Sequence, residues 1–249
     1  MEKALITGAS GAVGRALAAD LHARGWALAL VTRDPEQLAD RPPEWQAEVI
    51  GADVTTPEGA AQALEAAGAD GTPPTALAHC AGSRLVKPLH TTDEATYRDC
   101  MAANLDSAFF TLGEWVKRVR KAKRGGSAVL VSSTLAHRGV ANREAITAAK
   151  AAIEGLARSS AATYARFGIR VNAVAPGLIR GPNTEDLFKS EQAEATIAAE
   201  YPLGRYGEPA DVAGAMAYLL SADASWVTGQ VLRVDGGFGD LQASAPQRR

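Results

Sequence analysis

Short, continuous apolar runs alternate along the chain with longer stretches in which apolar residues return every three or four positions. The runs occupy residues 2–6, 26–31, 49–50, 75–79, 128–131, 169–174 and 230–234. An unbroken apolar run predicts a strand covered on both faces, as in a parallel sheet, because a solvent-facing side would impose alternation. Between the runs, Leu17 and Leu21, then Ala61, Leu64 and Ala67 after Pro57, follow helical spacing. A longer helix, capped by Thr91 or Thr92, carries Tyr97, Met101, Asn104 and Leu105 and continues through Phe109, Leu112 and Val116. Further helices are predicted over 142–167, from Thr184, and over 209–220. Strand and helix alternate without linker or repeat, which predicts an α/β fold: one doubly wound, mostly parallel sheet with helices on both faces. Residues 1–239 are expected to form this single domain, with 178–208 as a lid and 240–249 as a polar tail.

Composition narrows the function classes. The net charge of the 249 residues is −2, so the chain has no general attraction for nucleic acid or for anionic membranes. A basic cluster at 117–124 closes a helix, where the dipole and solvation explain it. No apolar run approaches the ~20 residues of a membrane span, and the chain starts straight into a strand, so a cytoplasmic location is expected. Cys80 and Cys100 are expected to be free thiols. Four histidines without paired ligand spacing predict no structural metal.

The first apolar run breaks into a glycine-rich turn, Gly8, Ser10, Gly11, Ala12, Val13 and Gly14, directly before the first helix. Such a turn holds a nucleotide pyrophosphate: glycine lets the backbone come close, and the helix offers unpaired N–H groups and the positive end of its dipole. Doubly wound folds bind dinucleotides at this first strand-helix unit. The second run ends at Thr32-Arg33-Asp34. An acid there would accept from the 2′-hydroxyl of NAD, whereas an arginine accommodates the 2′-phosphate of NADP. Arg33 therefore favours NADP, and NAD stays open if Asp34 turns inward.

From Thr7 to Gly237 the chain resembles the short-chain dehydrogenase/reductase family, through the Thr7 to Gly14 turn, Asp53-Val54, Ala81-Gly82, Asn104, Ser132-Ser133, Lys150 and Pro176-Gly177. The resemblance implies that Asp53 and Val54 hold adenine, Lys150 bonds the nicotinamide ribose, and Pro176 and Gly177 lie beside the nicotinamide. It also implies that Asn104 supports a water chain and that Ser133 orients a substrate carbonyl. Cys80 stands where the family's Asn-Ala-Gly motif has asparagine. The helices from Thr92 and Asn142 resemble a pair that packs against a twofold mate, with Ala145, Ala148, Ala149 and Ala152 allowing close approach. A homodimer or homotetramer is implied.

One position breaks the pattern. The family places a tyrosine four residues before the lysine and thirteen after the serine, and both counts land on Ile146. Isoleucine has no proton to give an alkoxide. Arg143 occupies the alternative position, seven before the lysine, used by the enoyl reductases. Tyr164 lies ~20 Å along the helix from Lys150, whereas Tyr201 and Tyr206 in the lid, or His137 in the loop after Ser133, could approach. Two function classes remain: an NADP(H)-dependent oxidoreductase acting on a small carbonyl or alcohol by an altered proton path, and a dinucleotide-binding sensor or assembly partner.

Overall fold

The computed structural model describes residues 2–45 and 47–243. Its elements are β1 (Lys3–Thr7), α1 (Ala12–Ala23), β2 (Ala27–Thr32), β3 (Glu48–Gly51), α2 (Pro57–Ala66), β4 (Ala76–His79), α3 (Glu94–Met101), α4 (Ser107–Lys121), β5 (Gly126–Val131), α5 (Glu144–Tyr164), β6 (Ile169–Pro176), α6 (Glu191–Ala199), α7 (Pro209–Leu220) and β7 (Val231–Val234). Seven strands form one sheet in the order β3-β2-β1-β4-β5-β6-β7, and every pairing is parallel. Each apolar run is thus a strand, and the fold is the doubly wound α/β architecture. Of the expected polar tail, 244–249 lie outside the described residues. None of the described helices is long and apolar enough to cross a membrane.

Successive strand residues face opposite sides, so the sheet feeds two cores. Leu5, Leu77 and Leu130 pack with Leu64 of α2, Trp115 of α4 and Ile153 of α5. Ile6, Leu30 and Val129 pack with Leu17 of α1 and Met216 of α7 on the other side. Strand order reverses between β1 and β4, which opens a crevice at their carboxyl ends, where ligands of such sheets bind. Gly8 sits there with φ +61°, and a Cβ on it would meet the backbone nitrogen of Ala81 at 2.6 Å. A Cβ on Gly14 would meet the oxygen of Gly8 at 2.5 Å, so α1 is seated directly on the turn.

Several local expectations need correction. Asp93, not Thr91 or Thr92, caps α3, accepting from the Thr96 N–H at 2.8 Å. The two threonine hydroxyls donate instead to the Pro88 oxygen. The long helix is continuous but widens into a π turn at Ala102–Asp106. Within 178–208, Thr184 precedes only a short 3-10 turn, Glu185–Leu187, and Ser190 caps the helix that follows. On α5, Ala145 and Ala149 point into the fold, leaving Ala148 exposed and Ala152 partly so.

Candidate active site

The glycine turn leads into a helix whose first turn lacks a side-chain cap, since Gly11 is its N-cap. Unpaired N–H groups at such an end suit an anion. Thr32 is buried and its hydroxyl lies 3.2 Å from Ser10 Oγ, tying the end of β2 to the turn. Arg33 is exposed beside the same edge. Asp34 does not turn inward: its carboxylate accepts from the Glu36 N–H at 3.1 Å and caps a short 3-10 turn. Asp53 accepts from the hydroxyl and the N–H of Thr55 at 2.8 and 3.1 Å, and chiefly that hydroxyl holds its carboxyl below the usual range. Val54 beside it is buried. Arg15 donates to Asp40 at 2.9 Å and to the Ser10 oxygen at 3.2 Å, bracing the turn against the loop after β2. Sequence reasoning passed over Arg15, although its place directly after Gly14 was a usable signal.

Asn104 and Lys150 lie against the chain that follows β4, and Lys150 reaches the end of β5 two residues before Ser133. A Cβ added to Gly82 would meet Asn104 Oδ1 at 2.8 Å and Lys150 Nζ at 3.4 Å, so the chain after Ala81 passes directly over both groups. Asn104 is fully buried in the π turn, where its Oδ1 accepts from the Ser83 N–H at 3.2 Å and its Nδ2 donates to the Cys100 oxygen at 2.9 Å. Such turns re-aim one side chain without ending a helix. Lys150 Nζ donates to the Val131 oxygen at 2.9 Å, and burial pushes its ammonium down to about 8. Ser133 Oγ accepts from the Leu135 N–H at 3.2 Å, which leaves its own proton for another acceptor. Burial pushes the Cys80 thiol up to about 12, and Cys100 is raised in the same way, so both thiols stay neutral. On the far side of the crevice Thr134 Oγ1 donates to the Pro176 oxygen at 3.1 Å, and the Gly177 N–H donates to Val234.

Ile146 is 4% exposed and packs with Cys100, Ala145, Leu85 and Leu135. The other candidate acids have partners. His137 Nε2 lies 2.8 Å from Glu154 Oε1, a buried carboxylate that also accepts from Ser132 Oγ at 2.9 Å. Tyr201 is buried and accepts from the Leu178 N–H at 2.8 Å. The Tyr206 hydroxyl accepts from Arg180 at 2.8 Å and donates to Glu194 at 3.0 Å. The 178–208 segment is tied to the chain after β4 by Arg84, which donates to both oxygens of Asp186 at 3.0 and 2.8 Å.

Residues 8–239 match the family model described as enoyl-(acyl carrier protein) reductase. The chain is 37% identical over 242 residues to cis-4-hydroxycyclohexanecarboxylate dehydrogenase of Sinomonas cyclohexanicum, covering 94% of this chain and 95% of that one. A solved short-chain type dehydrogenase/reductase from Mycobacterium ulcerans superposes with a TM-score of 0.91 at 30% identity, covering 97% of this chain and 91% of that one. A solved chain from Agrobacterium tumefaciens, 32% identical with a TM-score of 0.86 and covering 95% and 96%, holds bound NADP.

Proposed function

The chain belongs to the short-chain dehydrogenase/reductase family, and on that footing we propose that it is an NADP(H)-dependent oxidoreductase interconverting a small ketone and its alcohol, with Lys150 as the source of the proton. Lys150 carries the reading: it is a buried ammonium lowered to about 8, one turn from Ile146 and anchored on the strand that leads to Ser133. A group with a pKa near the working pH is suited to give and take protons.

The uncapped first turn of α1 and the glycines at 8, 11 and 14, with Ser10, Ala12 and Val13, would hold the pyrophosphate. Arg33 would take the 2′-phosphate, Asp53 and Val54 the adenine, and Ala81, Gly82, Pro176 and Gly177 the nicotinamide end. Bound NADPH supplies a hydride and no proton. Ser133 donates its free O–H to the substrate oxygen as charge develops there. Lys150 then passes a proton to that oxygen, directly or through a water that Asn104 helps to hold, and recovers it from solvent. Residues 178–208 close over the substrate, with the Arg84–Asp186 pair as their fastening. A homodimer or homotetramer is assembled through α4 and α5, where Phe109 is 57% exposed and Ala148 is exposed.

The apolar packing of Ile146 favours a second reading, a dinucleotide-binding sensor without turnover. NADPH oxidation is measured over a panel of small ketones for the wild type, Lys150→Ala and Ser133→Ala. Turnover that both substitutions remove supports the enzyme. Turnover indifferent to both would defeat the assignment, and a silent wild type that still binds NADPH would favour the sensor.

A further inference from the structure

Arg143 is a cation without an acid of its own at the mouth of the crevice. It stands three residues before Ile146 and seven before Lys150, so the three share one side of the helix. Its Nη1 reaches only the main-chain oxygen of Leu85, at 3.4 Å, and no described carboxylate forms an ion pair with it. The acid whose charge acts on it is Asp186, which is already taken in two bonds by Arg84. Burial pushes the guanidinium below its usual value, repulsion from Arg84 adds to this, and Asp186 opposes it. A guanidinium carries five donors, so most of this group's capacity is unspent in a partly desolvated place. The first turn of α5 has no side-chain cap, which adds the positive end of a 21-residue helix. Leu85 and Leu135 pack on Ile146, one turn further along the helix.

We infer that Arg143 receives the carboxylate of an anionic substrate whose carbonyl is presented to Ser133 and Lys150. The inference rests on the oxidoreductase reading above and specifies its substrate class. One planar cation with a two-donor edge matches a carboxylate. Arg143 and Lys150 are separated by about 10 Å along the helix. An offset of two turns favours an oxo group several carbons from the carboxylate over a 2-oxo acid, whose two groups are joined by one bond.

Binding and turnover are tested separately. In heat denaturation without cofactor, cyclohexanecarboxylate is expected to raise the midpoint and cyclohexanecarboxamide to leave it. Arg143→Gln should erase that difference, and Arg143→Lys, which keeps the charge without the fork, should retain part of it. In turnover, kcat/KM for 4-oxocyclohexanecarboxylate should exceed that for its methyl ester by about tenfold or more, the worth of a charge-assisted hydrogen bond. Arg143→Gln should collapse that ratio through KM. Equal midpoint shifts for acid and amide, or an undiminished shift in Arg143→Gln, overturn the inference. Arg143-dependent binding of the acid without turnover of any ketone would uphold it and remove the oxidoreductase reading instead.

Discussion

Lys150 Nζ donates to the main-chain oxygen of Val131 at 2.9 Å, and Val131 precedes Ser133 by two residues along the same strand end. The bond ties the ammonium to the end of β5, and burial lowers it to about 8. A proton donor must hold its proton, so ketone reduction should be level below pH 8 and fall about tenfold per unit above it. Alcohol oxidation needs the neutral amine and should rise to a plateau above pH 8. Rates measured in both directions check this, and reduction unchanged through pH 10 would exclude Lys150 as the donor.

Ile146→Tyr places a phenol one turn from Lys150. The site is filled by Cys100, Leu85 and Leu135, so the larger ring should cost roughly 1 to 3 kcal/mol of stability. A positioned acid is worth about 10²-fold or more, and kcat for ketone reduction should rise accordingly. Urea unfolding and steady-state rates on one preparation separate the two effects. A variant that is well folded and no faster would mean that the substrate oxygen does not lie over this face.

Arg33 is exposed and Asp34 is occupied with Glu36, so NADPH should raise the melting temperature more than NADH at equal concentration. Arg33→Ala should narrow the gap while leaving the NADH shift in place. Equal shifts in the wild type would remove the NADP preference.

His79 joins β1 to α4. Ser107 Oγ spends its proton on the Ala103 oxygen, so it accepts from His79 Nε2, which leaves Nδ1 to accept from Thr7. The ring is fully buried, and chiefly for that reason its pKa is pushed from 6.5 down to about 3. Below pH 6.5 the unfolded chain takes up a proton that the folded protein refuses, so this contribution to stability is full above pH 6.5 and shrinks as pH falls toward 3. The unfolding free energy should drop by about 2 kcal/mol between pH 7 and 5 on this account. His79→Gln should lose that dependence, whatever its own stability. Identical slopes for the two proteins would show that the ring is not held neutral.

The strands were legible because a sheet covered on both faces demands unbroken apolar runs such as 128–131, and the glycine turn because backbone contacts at Gly8 and Gly14 leave no room for a side chain. Asn104, Ser133 and Lys150 were pointed to by the family resemblance, and Ile146 by counting from the serine and the lysine. The widened turn that aims Asn104 was not, because its partner Ser83 lies 21 residues away. Thr7 and His79, or Arg84 and Asp186, meet across 72 and 102 residues and leave no periodic trace. The inward side of α5 was misread at Ala145 and Ala149 because alanine stands on both sides of the helix, so periodicity carries no contrast there.

The fastening between Arg84 and Asp186 is made of two opposite charges that solvent reaches on both sides, 30% and 53% exposed. Salt weakens such pairs while leaving apolar contacts largely intact. If residues 178–208 close over the substrate as proposed, the time a product spends beneath them falls with ionic strength, and wherever product departure limits turnover, kcat rises with added potassium chloride. With Arg84→Ala that dependence disappears.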